Sequence, residues 1–78
     1  MMNIRIYGDF QNADQNGNIR LNTQGTQKDL ALLNVVLESN MKVLISDGEL
    51  EALGIVNFSD KENIWIAEID WDMVKDVD

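Results

Sequence analysis

Two short alternations of apolar and polar residues open the chain. Ile4 and Ile6 alternate with Arg5 and Tyr7, and segment 18–22 repeats the pattern with Ile19 and Leu21. A period of two predicts strands with one buried face. The polar stretch between them is too long for a tight hairpin. The period then changes. Thr26, followed three residues later by Asp29 and then by apolar residues, predicts a helix N-cap with an acid in the first turn. Leu30 and Leu33 share a helical face, and Asn34 suits a left-handed C-cap, so the helix spans 26–33. The β-branched Val35 and Val36 then return the chain to an extended path.

The second half can be paired residue by residue. Strand 41–46 reaches Asp47-Gly48, a favoured dipeptide for a tight hairpin turn. Strands 49–58 and 63–71 flank a four-residue turn, Ser59 to Glu62. Pairing Phe58 with Asn63 sets Val56 opposite Trp65, Ala52 opposite Ile69 and Leu50 opposite Trp71. Gly54 then faces Ala67, leaving room for something bulky above them. This register gathers Leu50, Val56, Phe58, Trp65, Ile69 and Trp71 into one core face. Truncating Trp65 is accordingly expected to cost about 3–5 kcal/mol.

The opposite face is half apolar. Leu53, Ile55, Ile64 and Ile66 lie together on it, with Glu49, Glu51, Glu68 and Asp70 at its far end. A strand that is apolar on both faces must be covered on both. The simplest expectation is that the helix, through Leu30 and Leu33, or the curvature of the sheet covers this patch. The functional alternative is a partner or a second copy of the chain. Residues 72–78 are expected to form one helical turn capped by Asp72, or to fray. Five or six short strands and one brief helix predict a single, mainly β domain over 1–78. Its form is a small curled antiparallel sheet or an SH3-like barrel, the alternative being an α+β roll with the helix across one sheet face.

Composition removes several kinds of chemistry. The 78 residues include no cysteine and no histidine, which excludes disulfides and the usual zinc sites. The core must come from the 45% hydrophobic residues. No apolar run approaches the roughly 18 residues that a membrane span needs. The opening MMNIRIYGDF lacks the basic flank and long apolar core of a signal peptide, so a cytoplasmic protein is expected.

Charge divides the chain. The formal net charge is −8. Residues 1–46 balance Asp9, Asp14, Asp29 and Glu38 against Arg5, Arg20, Lys28 and Lys42, so the whole excess falls on residues 47–78. Nucleic-acid binding needs a basic footprint, and none is present. An acidic half suits a basic protein partner, or imitates nucleic acid towards a protein that binds it. Its plainest role is to keep a solvated face soluble.

Two constellations invite chemical readings. In NADQNGNI (12–19), Asn12, Asp14, Asn16 and Gly17 follow the spacing of a calcium loop. Such a loop needs a carboxylate at its first position and a bidentate Glu at its twelfth, where this chain has Asn12 and Thr23. Asn, Asp and Gly also serve any open turn, which is the preferred reading. A calcium-responsive module on residues 9–16 stands as the alternative. Glu68 and Asp70 project from one strand face about 7 Å apart, as a carboxylate-dependent enzyme would require. A chain this small can hardly build the necessary cleft, and no glycine loop for phosphate precedes a helix. No catalytic, cofactor-binding or metal-binding residue is therefore assigned. The sequence favours a small, acidic, non-catalytic interaction or regulatory module, with Leu53, Ile55, Ile64 and Ile66 as the candidate partner surface. The expected partner is a basic protein or a second copy in weak self-association, with no nucleic acid and no membrane.

The stretch from Asp9 to Trp71 resembles a group of short uncharacterised bacterial proteins. They share a DF-N start, RLN, GT--DL and a strand-rich half ending in W-A-ID. The matching residues here are Asp9, Phe10, Arg20, Leu21, Asn22, Gly25, Thr26, Asp29, Leu30, Trp65, Ala67, Ile69 and Asp70. The group often has Gly where this chain has Asn34 and Asn40. The resemblance implies a bacterial cytoplasmic origin and carries no activity with it.

Overall fold

Small and apolar residues alternate with larger ones along the longest strand, and the sheet is built around it. The computed structural model describes residues 3–77. Its strands are β1 (Ile4–Tyr7), β2 (Ile19–Arg20), β3 (Lys42–Ser46), β4 (Leu50–Ser59), β5 (Ile64–Ile69) and β6 (Lys75–Asp76). One helix, α1, spans Gln24–Leu33, and a 3-10 turn spans Trp71–Met73. β4 pairs with β3 along one side, and with β5 and then β6 along the other. β1 and β2 complete the order β1-β3-β4-β5-β2 at the two edges.

The protein is mainly β with one short helix, as its periodicities predict. The sheet is mixed rather than antiparallel, and it does not close into an SH3-like barrel. β1 pairs parallel to β3, because the chain passes through β2 and α1 before returning beside it. β1 and β2 stay unpaired with each other, so an open seam remains. α1 packs most closely against β1, with Leu30 against the core and Gln27 Nε2 donating to Leu21 O at 3.3 Å. Curling is still strong. The radius of gyration, 11.4 Å, matches the roughly 11.5 Å of a compact chain of this length. Ile6, Ile19, Val43, Ile45 and Val56 are fully buried on the concave face, with Phe10, Leu21 and Leu37 closing over it. A side chain on Gly8 would collide with Ile45 Cγ2 and crowd Ile19 Cγ2, so glycine is required where the two ends of the sheet converge.

The helix begins earlier than its sequence signal. Thr23, in extended backbone, is the N-cap and accepts from the Thr26 N–H. Thr26 is instead buried, its hydroxyl donating to Tyr7 O at 2.6 Å. Asp29 Oδ2 accepts from Tyr7 N–H at 2.8 Å. Both outward backbone groups of Tyr7 are thus satisfied by helix side chains, which blunts the sheet edge there. Asn34 is the left-handed C-cap expected of it, with φ 56°. Val35 to Ser39 then run outside the strands, and Leu37 is their one buried residue.

The β4–β5 register is shifted two residues from the expected one. Phe58 pairs with Trp65, Val56 with Ala67 and Gly54 with Ile69. Asn63 causes the shift: at φ 58° it belongs to the turn, and its N–H reaches Ser59 O at 2.6 Å. An even shift keeps every side chain on its expected face. It does change which residues are central. Phe58 and Trp65 meet edge to face at 5.2 Å at the rim, where Phe58 is 40% exposed and Trp65 only half-buried. Trp71 leaves the strand for the 3-10 turn and is 45% exposed. It donates Nε1–H to Gly17 O at 2.8 Å and meets Phe10 edge-on. Of the six residues expected at the centre, Val56 alone is fully buried. Asp70, not Asp72, caps the 3-10 turn, and β6 then pairs with the start of β4 instead of fraying. Asp78 of the expected 72–78 turn lies outside the described residues.

Candidate interaction face

The convex face carries two of the large apolar side chains that do not enter the core, Leu53 and Ile55. Two rows of paired residues cross it. In one, Arg5 pairs with Leu44 and Leu44 with Leu53. One step beyond the Gly54–Ile69 pair, Asp70 stands on the far side of Leu53. In the other row, Lys42 pairs with Ile55 and Ile55 with Glu68. Leu53 is 59% and Ile55 42% exposed, although both sit in the central strand. Lys42, Leu53, Ile55, Glu68 and Asp70 line a shallow groove of about 280 Å³. The helix does not cover this face, because bonds between Tyr7 and the Thr26 and Asp29 side chains tie it to β1.

The four residues singled out from sequence do not remain one exposed patch. Ile66 is only 6% exposed and Ile64 is half-buried, while Leu53 and Ile55 stay open. Ile66 pairs with Arg20 and lines a cleft with the polar turn at 12–18, which Arg20 secures. Arg20 Nε and Nη2 donate to the two oxygens of Glu62 at 2.7 and 2.9 Å, and Nη1 reaches Ala13 O at 3.0 Å. The bidentate bond holds the Glu62 carboxyl below its ordinary value and raises the Arg20 guanidinium. Nothing in the local sequence signals this bridge, whose ends are 42 positions apart.

The NADQNGNI stretch is a tight turn returning into β2. Asp14 N–H donates to Asn18 O, Gly17 N–H donates to Asp14 O, and Gly17 takes φ 84°. Asp14 Oδ1 accepts from the N–H groups of Asn16 and Asn18, and Oδ2 accepts from Asn18 Nδ2. These bonds, the Asn18 amide first, hold its carboxyl below the usual aspartate value. Its oxygens are occupied in making the turn. Asp9 Oδ1 likewise accepts from Gln11 N–H. Among the described residues, no three acidic side chains gather closely enough to hold a metal.

Glu68 and Asp70 do share the convex face, but each has a structural partner. Glu68 Oε2 accepts from Asn57 Nδ2 at 2.7 Å, and Asp70 Oδ1 accepts from Asp72 N–H at 3.0 Å. They form the acidic margin of the groove, and Lys42 forms its basic margin, while Arg5 stands one strand further out, its Nη2 donating to Ser46 Oγ at 3.1 Å. That polarity is legible only once β3 is registered on β4, which Gly48 decides. Gly48, at φ 97°, is the first of the two central turn residues, and Asp47 N–H bonds to Leu50 O. A turn with positive φ at its first central residue alone pairs Ser46 with Glu51, and so places Lys42 beside Ile55. Among the described residues, no helix is long and apolar enough to cross a membrane. No family model, curated protein or solved structure matches this chain.

Proposed function

We propose that this protein is a non-catalytic interaction module whose working surface is the convex face at Leu53 and Ile55. One observation carries the reading: two large aliphatic side chains stand open in the middle of the central strand, where a monomer of this size has most reason to bury them. Covering each fully would contribute roughly 1.5–3 kcal/mol to an association. The charged margins (Lys42 on one side, Glu68 and Asp70 on the other) suit orientation of a partner more than raw affinity.

The test is site-specific crosslinking in the native host. A photoreactive residue in place of Leu53 should yield adducts of discrete mass. The same residue in place of the exposed Lys28, on α1, should not. Equal adduct patterns from both positions would remove the convex face as the working surface.

A further inference from the structure

The two rows crossing the convex face give its apolar centre a definite electrical polarity. Arg5 and Lys42 lie on the β1–β3 side of Leu53 and Ile55, and Glu68 and Asp70 lie on the β5 side. Adjacent strands are about 4.8 Å apart, so Lys42 and Glu68 stand about 10 Å apart across Ile55. The ion pairs found among the described residues are Arg20–Glu62 and Lys75–Glu51, and neither uses these four groups. A partner that meets this face must therefore be apolar in the middle, acidic over β3 and basic over β5.

We propose that a second copy of this chain is that partner, docked face to face about a two-fold axis parallel to β4. The inference rests on the convex face being an interaction surface, and it names the occupant. Two copies meeting through one shared patch are related by a two-fold axis that lies in the plane of contact. An axis across the strands would set Lys42 over Lys42 and Glu68 over Glu68. An axis along the strands exchanges left for right while keeping strand direction. It lays Lys42 of one copy over Glu68 of the other, on both sides of the interface, and carries Arg5, one strand further out on β1, past Asp70. Leu53 and Ile55 then meet their counterparts in the centre. The resulting packing is the aligned arrangement that twisted sheets favour, with strand directions within about 30°. The net charge of −8 on each copy opposes this association, but beyond about 8 Å it is screened at physiological ionic strength. The facing margins are not separated by that distance. The association is accordingly weak and orientation-specific.

Sedimentation equilibrium at protein concentrations up to about 1 mM, the range of weak association, tests the proposal. The wild-type chain should self-associate to a dimer, and Ile55→Glu should be monomeric with an unchanged circular dichroism spectrum. Leu53→Arg serves the same purpose should Ile55→Glu fail to fold. Glu68→Lys removes a negative charge and adds a positive one, so a general charge effect would strengthen the dimer. The two-fold along β4 instead sets the introduced cation over Lys42 twice, and should weaken the dimer about tenfold. Adding Lys42→Glu to that variant should restore the affinity to within about threefold of wild type. A wild-type chain monomeric throughout, a dimer that survives Ile55→Glu and Leu53→Arg, or a double exchange that fails to restore association would each overturn the proposal. Heavier crosslinked adducts at position 53 from a monomeric protein would overturn self-association alone and leave the interaction reading intact.

Discussion

Single carboxylates do much of the shaping at the turns. Asp47 accepts from the N–H groups of Glu49 and Leu50, the Leu50 bond first among the causes that keep its carboxyl below the ordinary value of 3.8. A depressed carboxyl contributes stability that is present above the unfolded pKa and is lost as pH falls through the folded one. Asp47→Asn should therefore melt below wild type at pH 6, and the difference should shrink steadily as pH drops below about 4, which thermal melts across that range would show. An undiminished difference at pH 3 would mean that the carboxylate charge is not what matters. Arg20→Ala should speed amide exchange at Asp14 and Gly17, whose bonds close the turn that Arg20 ties to Glu62, with little change at Val56. Hydrogen-exchange mass spectrometry or NMR would detect it. In the core, Ile45→Ala should cost about 2–5 kcal/mol, because this side chain is fully buried where the sheet ends converge. Trp65, half-buried at the rim, should cost less than the value its sequence position suggests.

Elements were legible where the local pattern and the tertiary demand agree. β1, the C-cap at Asn34 and the existence of the β4–β5 pair follow from periodicity and turn chemistry alone. The departures occur where one residue answers a distant group. Thr26 leaves the cap position because its hydroxyl satisfies Tyr7 O, so Thr23 takes over. Trp71 leaves the strand because Gly17 O and Phe10 receive it. Neither partner is visible from the helix or strand sequence itself. Gly25 shows the same conflict and gives it a measurable sign. An alanine there would gain about 1 kcal/mol of helix propensity. Its Cβ would, however, sit 2.7 Å from the Tyr7 ring at Cδ2 and 2.9 Å at Cγ, atoms that cannot swing aside without moving β1. Gly25→Ala should lower the melting temperature in spite of propensity, and a rise would show that the helix packs less tightly on β1.

At the scale of the whole molecule, a thin core of short aliphatic residues holds a strongly curled open sheet, and the surplus hydrophobicity is displayed on the outside. The faces of β4 were readable from its alternation, and so was the presence of apolar residues on the outer one. What covers each residue was not, because that depends on where α1 and the 12–18 turn dock. α1 goes to the β1 edge through Thr26 and Asp29, and Arg20 holds the polar turn beside Ile66. Leu53 and Ile55 are left between them. In that arrangement a charge at position 55 points into solvent, whereas a buried lone carboxylate would unfold a domain this small. Thermal unfolding of Ile55→Glu at low protein concentration decides the matter. A melting temperature within a few degrees of wild type is the expected result, and a chain unfolded at room temperature would contradict the account.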